Sequence, residues 1–241
     1  MSAIVCTLLF FIQISLIYAT YPLNQYKCWK WDSACLTAHA QAVTPILTAG
    51  IPAIATERLD PMFIDSVHVE DREGLQFDML NVYIEGFKRA TIDKVSVDMN
   101  SRIMRIVFHA DLSIRSSYIT SGYLFSLPFF GHGDFAMKYD DVLTDMIIPF
   151  EITKDTHGKN IMNLKGYQYW YDVRGGGQFH LGDLYDKDTI ASERMHALVN
   201  HKWKTISVLY GRFMFDKIND KIFNAIRTYI LSQSLENIVL Y

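Results

Sequence analysis

The feature that most constrains the fold is a long helical pattern near the C-terminal end, from Met195 to Ile230. Its apolar residues recur at steps of mostly three or four, which keeps them on one stripe of a helix. They are Met195, Val199, Trp203, Ile206, Tyr210, Phe213, Ile218, Ile222, Ile226 and Ile230. A helix of this length measures roughly 50 Å at about 1.5 Å per residue. No neighbour of ordinary length can bury such a stripe, so we expect other elements to cover it along most of its extent.

The centre of the chain, from Phe63 to about Phe179, is expected to supply that cover as long β-strands. The clearest strand runs from Met104 to Ile114, where every second residue is apolar and most of the intervening residues are polar. These patterns predict an α+β fold in which a highly curved antiparallel β-sheet wraps the long C-terminal helix. The interior of such a tube is either filled by side chains or open to an apolar ligand. This architecture favours a carrier over an enzyme.

The N-terminal residues resemble a secretory signal peptide, predicted over residues 1–19. The segment from Ile4 to Tyr18 is largely apolar but too short to span a bilayer; the alternative is a buried N-terminal helix. Cleavage would leave one domain over residues 20–241, with Cys28 and Cys35 as its cysteines. Because an even pair in a secreted chain implies a disulfide, we expect Cys28 and Cys35 to be bonded and the protein to be extracellular.

The charge of the chain limits its partners. The formal net charge of −3 at pH 7 argues against nucleic acid and against anionic membranes. No segment after residue 19 is apolar enough to span a bilayer, so stable membrane insertion is not expected.

Residue patterns typical of catalysis and metal binding are weak. No Gly-x-Ser-x-Gly motif occurs. Asp140 and Asp141 are adjacent, so in a strand they would point to opposite faces; a solvated turn is the favoured interpretation. His196 and His201 lie about 140° apart around a helix, too far for one shared metal. His39 has no second histidine at zinc-finger spacing. We therefore expect neither catalysis, nor a metal, nor a cofactor.

Short motifs follow one another in a characteristic order. They are the Cys28 to Cys35 pair, Gly50-Ile51-Pro52, Leu59-Asp60-Pro61, Gly131-His132-Gly133 and Asn200-His201-Lys202-Trp203. In this order and spacing they resemble the insect family of takeout and the haemolymph juvenile hormone binding proteins. The resemblance implies a tubular lipid-binding architecture and non-covalent binding of apolar small molecules, including terpenoid hormones. The single cysteine pair is more similar to the takeout branch, which is linked to daily or feeding rhythms.

Inward apolar side chains are the candidate ligand contacts, although core packing is the more frequent role for any one of them. The candidates are Phe108, Leu112, Phe125, Phe135, Met137, Trp203, Phe213, Phe215 and Phe223. The leading hypothesis is a secreted carrier that holds a terpenoid or a fatty-acid-like molecule in an apolar tunnel. The rival hypothesis is a protein with a closed core that acts through its surface on an extracellular receptor.

Overall fold

A computed structural model describes residues 27–29 and 31–240 of the chain. The predicted signal peptide, residues 1–19, lies outside the described residues. The strands are β1 (Cys28–Trp29), β2 (Met62–Glu70), β3 (Gln76–Glu85), β4 (Thr91–Asp98), β5 (Ile103–Ser121), β6 (Tyr123–Leu124), β7 (Leu127–Pro128), β8 (Gly131–Lys154), β9 (Asn160–Leu164), β10 (Gln168–Leu181) and β11 (Val239–Leu240). The helices are α1 (Ser33–Ala49), α2 (Thr189–His201), α3 (Trp203–Leu231) and α4 (Leu235–Ile238).

One antiparallel sheet of seven strands forms the body of the protein. Its order is β10-β8-β5-β3-β2, with β4 also paired to β5 and β9 also paired to β8. Strands β5 and β8 contain 19 and 24 residues. At about 3.3 Å per residue, β5 alone extends roughly 60 Å, long enough to follow a helix such as α3. The predicted α+β class and antiparallel sheet are confirmed.

Two irregularities lie at one level of the sheet and bend it. The register of β5 against β8 shifts between Ala110 and Leu112, and that of β10 against β8 shifts between Val173 and Gly176. Both shifts lie opposite residues 139–142 of β8. A bulge bends its strand and increases the local twist, so neighbouring bulges on successive strands curl the sheet into a half-barrel.

Asp140 and Asp141 lie inside β8 at this level, so the predicted solvated turn is wrong. Asp141 has a positive φ of 51°. Its backbone N–H donates to Oδ1 of Asp111 at 2.8 Å, and its carboxylate accepts from Arg174 at 2.5 Å. A bulge, like a turn, needs residues that tolerate the left-handed region, and aspartate does so in both. Aspartates in the sequence are therefore compatible with a turn and with a bulge, and they do not distinguish the two.

The long C-terminal helix is interrupted at Lys202, which contradicts the predicted continuous helix from Met195 to Ile230. Lys202 has φ −95° and ψ 16°, and it separates α2 from α3. Just before the break, the Asn200 amide accepts from the Phe179 N–H at 2.8 Å and donates to the Phe179 carbonyl at 3.0 Å. These bonds fasten the last turn of α2 to β10. The apolar steps continue across the break, so periodicity alone does not reveal it.

The N-terminal helix closes one end of the half-barrel. Gln41 of α1 donates to the Ala90 carbonyl at 3.0 Å and accepts from the Ile92 N–H at 2.7 Å. The predicted disulfide is present between Cys28 and Cys35, with their Cα atoms 5.5 Å apart. Next to it, β1 pairs in parallel with β11. The N-terminal part of the domain is thereby joined to its C-terminal strand.

We predict that Gly86→Ala destabilises the protein more than Gly74→Ala. Both glycines have a positive φ that disfavours other residues, +130° and +90°. A Cβ at Gly86 would lie 1.9 Å from the Asp111 carbonyl oxygen, whereas a Cβ at Gly74 would meet nothing within 4 Å. We expect losses in the free energy of unfolding of about 3 kcal/mol and about 1 kcal/mol respectively, measured by urea denaturation. Equal losses in the free energy of unfolding would show that the backbone near Gly86 shifts to accommodate the added Cβ.

Candidate ligand-binding site

Two apolar cavities lie between the sheet and the C-terminal helices. Cavity A, of about 90 Å³, lies beside α2 and the first half of α3; cavity B, of about 150 Å³, lies between α1 and the end of α3. Each is larger than the roughly 30 Å³ that one water molecule takes up in the liquid. The walls of cavity A include Phe77, Leu124, Phe135, Met137, Val199 and Met214. Those of cavity B include Leu36, His39, Ala40, Met104, Ile106 and Tyr229.

The tyrosines of cavity A already have partners within the protein. The Tyr210 hydroxyl donates to Oδ2 of Asp71 at 2.7 Å. Burial and this hydrogen bond raise the pKa of Tyr210 above its usual value. Burial also raises the pKa of Tyr139, against a smaller opposing contribution from a hydrogen bond with Ser207. Both phenols are therefore neutral near pH 7, and the cavity offers a wall suited to hydrocarbon.

A packed segment of aromatic and aliphatic side chains separates the two cavities. Phe215 is only 1% exposed. Its ring centroid lies 4.2 Å from that of Tyr171 and 6.3 Å from that of Tyr139. Buried Ile218 follows on α3 before the helix reaches cavity B at Ile226. The interior is thus divided into two cavities by this segment.

The predicted ligand contacts fall in different environments. Phe135 and Met137 line cavity A. Phe125 and Trp203 are partly buried against the core but are not among the residues that line either cavity. Four more are buried and likewise line neither cavity, and these are Phe108, Leu112, Phe215 and Phe223. Their roles in ligand binding remain predictions.

Phe213 lies on the outer side of α3, so its predicted inward position is wrong. Its side chain is 38% exposed. Successive helix positions advance by about 100°, which places Phe213 about 200° from the buried Gly211. The inward stripe passes through Met214 and Phe215 instead. Because three large apolar residues are consecutive here, periodicity did not identify the exposed one.

A ladder of three tyrosines, Tyr169 and Tyr171 on β10 and Tyr167 just before it, fastens the sheet to α3, and the sequence analysis missed it. The hydroxyls donate as follows: Tyr167 to Asp220 at 2.6 Å, Tyr169 to Asp216 at 2.5 Å, and Tyr171 to the Ser207 carbonyl at 2.8 Å. Burial is the largest cause that raises the pKa of Tyr171 to about 12. Two sequence features could have indicated these contacts. The tyrosines occupy every second position of a strand, and Asp216 and Asp220 lie four residues apart on one face of a helix.

The histidines singled out by the sequence have separate roles. His196 accepts from the Leu181 N–H at its Nε2, 3.0 Å away, and its Nδ1 lies 2.8 Å from the Ser192 carbonyl oxygen. His201 is exposed at the end of α2. Within residues 27–29 and 31–240, no three histidine, cysteine or acidic side chains converge as a metal site. None of the helices in this described part is long and apolar enough to cross a membrane.

We predict that Phe215→Ala lowers the free energy of unfolding by about 4 kcal/mol, because it removes a fully buried ring from the packed segment. Phe213→Ala, two residues away on the exposed side of the same helix, should cost less than about 1 kcal/mol. Chemical denaturation of both variants measures the difference. Similar losses for the two substitutions would contradict the assignment of inner and outer faces to α3.

The curled sheet and C-terminal helices are similar to those of a solved insect protein. The crystal structure of Takeout 1 from Epiphyas postvittana matches this chain with a TM-score of 0.85 at 28% sequence identity. The match covers 90% of this chain and 100% of that chain. It confirms the predicted tubular architecture of a curved antiparallel sheet with a long C-terminal helical region.

The sequence is also similar to two proteins described as "Circadian clock-controlled protein daywake". The one from Drosophila yakuba is 24% identical over 226 residues, which cover 88% of this chain and 84% of that protein. The one from Drosophila melanogaster is 23% identical over 202 residues, covering 78% and 76% respectively. Residues 5–239 match the family model described as "Haemolymph juvenile hormone binding protein". This chain therefore belongs to the haemolymph juvenile hormone binding protein family.

Proposed function

We propose that this protein is a secreted carrier that binds a terpenoid or a fatty-acid-like molecule in its apolar interior, without catalysis. The family binds small hydrophobic ligands. The observation that carries the proposal is cavity A, an apolar space within the core whose tyrosines have their own partners. Transfer of hydrocarbon from water into such a space is favourable. The signal-like residues 1–19 and the Cys28–Cys35 disulfide support an extracellular location.

A second candidate is an extracellular signalling protein, connected with circadian or feeding behaviour, that acts on a receptor through its surface. The packed segment around Phe215 favours it, because it fills the middle of the interior. The two daywake proteins, both described as circadian clock-controlled, are its further support. In this case neither cavity would need an occupant.

The carrier proposal is tested by filling each cavity separately. Val199→Phe places a larger side chain in cavity A, and Ala40→Phe does so in cavity B. Val208→Phe, at a position that is 67% exposed on α3, is the matched control. We expect the doubly filled protein to bind the uncharged fluorescent probe N-phenylnaphthylamine at least about 10-fold more weakly, through lost apolar burial, and the control to bind it normally. Circular dichroism establishes that each variant is folded.

The natural occupant is sought by native mass spectrometry of the protein purified from secreting cells, followed by organic extraction. A stoichiometric apolar molecule that is absent from the doubly filled variant is the expected result. If only bare protein is found, and filling the cavities leaves probe binding unchanged, the signalling candidate replaces the carrier.

A further inference from the structure

The hairpin of residues 122–130, called the tip below, ends the long β5–β8 ribbon and exposes apolar side chains. Within it, β6 pairs with β7. Tyr123, Leu127 and Phe130 are 51%, 46% and 42% exposed. Residues 116–131 contain no acidic, basic or histidine residue, so no charge offsets this apolar surface. Single exposed apolar side chains are ordinary in proteins, but a group of them in an uncharged segment indicates a contact surface.

The turn of the tip is unfavourable for the backbone. Phe125 and Ser126 lie between the paired Leu124 and Leu127 and have φ values of 54° and 64°. Two-residue hairpin turns with two positive φ values usually contain asparagine or glycine, and a bulky residue such as phenylalanine is disfavoured there. Strained backbone of this kind is concentrated at functional segments. The tip is therefore better explained by what its side chains contact than by the requirements of the turn.

The tip also forms part of the wall of cavity A. Leu124 and Phe129 are 4% and 3% exposed, and both line this cavity. These two side chains face the cavity, whereas Leu127 and Phe130 of the same hairpin face solvent. Whatever contacts the tip from outside therefore lies next to the wall of cavity A.

The segments on either side of the tip, residues 183–188 and 71–74, form an acidic border. The Tyr185 N–H donates to the Phe130 carbonyl at 3.1 Å, which holds residues 183–188 against the tip. On the other side, a Cβ on Gly122 would lie 1.9 Å from a carbonyl oxygen of residues 71–74. The first segment contains three aspartates and one lysine, and the second contains two acidic residues and one arginine. Their net charges are therefore −2 and −1.

This charge pattern distinguishes between the possible partners of the tip. An anionic lipid surface would be repelled by the carboxylates of the border. A zwitterionic phospholipid has no net charge, and its outermost group is a cationic amine that meets those carboxylates favourably. Protein interfaces carry regular hydrogen bonds, but within the tip only Tyr123 and Ser126 have polar side chains. The tip thus fits an uncharged lipid surface better than a protein.

We propose that the tip docks reversibly on zwitterionic phospholipid surfaces. Tyr123, Leu127 and Phe130 enter the head-group region, where aromatic and aliphatic side chains are favourable, and the acidic border disfavours anionic lipid. The contact is peripheral and does not span the bilayer. It presents the wall of cavity A to the lipid, but it requires no occupant in either cavity, so it goes beyond the carrier function and does not depend on it.

The test is flotation of the full protein with vesicles of phosphatidylcholine. We expect Tyr123→Ser/Leu127→Ser to weaken vesicle binding by about 10-fold, through lost apolar burial. Ile147→Ser/Trp170→Ser is the matched control, because these residues are 42% and 57% exposed but far from the tip. Trp170 pairs with a residue of β8 that lies fourteen positions from the start of that strand. The control should bind vesicles normally, and circular dichroism establishes that both variants are folded.

A second comparison tests the acidic border. Vesicles that contain phosphatidylserine besides phosphatidylcholine should bind the unmodified protein more weakly than pure phosphatidylcholine does. Asp183→Asn/Asp186→Asn should reduce this difference, because it removes two of the repelling carboxylates. Both positions are exposed and have positive φ values of 46° and 51°, which asparagine tolerates.

Three results would overturn the proposal. They are the absence of binding to phosphatidylcholine vesicles, equal binding by the tip variant and the control variant, and tighter binding to the vesicles that contain phosphatidylserine. A dimer that the tip variant dissociates, without vesicle binding, would show that a second copy covers the tip instead. Vesicle binding that depends on the tip, in a protein that binds no N-phenylnaphthylamine, would refute the carrier function and support the docking.

Discussion

The buried stripe of α3 can be shielded from water only by a surface that follows it for much of its length. The helix has 29 residues, and its inward face includes Gly211, Phe215, Ile218 and Ile222. Leaving such a face exposed would cost roughly 1.5–3 kcal/mol for each large side chain. Strands of ordinary length cannot cover it, so β5 and β8 are unusually long. Their length in turn requires the sheet to curl.

Different residues curl the sheet and attach the helix to it. The bulges opposite residues 139–142 of β8 bend the sheet. The tyrosine ladder of β10 then holds α3 through side-chain oxygens and one backbone carbonyl, with Tyr169 bonded to Asp216 as an example. Asn200 fixes the end of α2 to the same strand. Because α2 and α3 are both tied to β10, a short break at Lys202 lets each follow the curved strand.

The sequence predicted the parts of the fold that depend on periodicity. Alternation over Met104 to Ile114 and the long C-terminal stripe were sufficient for the fold class, and the cysteine pair for the disulfide. The break at Lys202 was missed because apolar steps of three and four continue through it. Phe213 was misplaced because Met214 and Phe215 are equally apolar, and only the packed structure determines which of three neighbours faces inward.

The candidate site was less predictable than the fold, since a cavity is a property of how side chains fit together. Phe135 and Met137 line one cavity, whereas Phe108 and Leu112, chosen by the same reasoning, are in the packed core.

The packed segment also limits the size of any ligand. Met214 lines cavity A and Ile226 lines cavity B, and the twelve helical steps from Met214 to Ile226 correspond to a rise of about 18 Å along α3. A molecule occupying both cavities would have to pass Phe215, whose ring is in contact with Tyr171, and displacing it would give up a substantial part of the core's stability. The packed core therefore favours separate occupants of the two cavities over one long ligand.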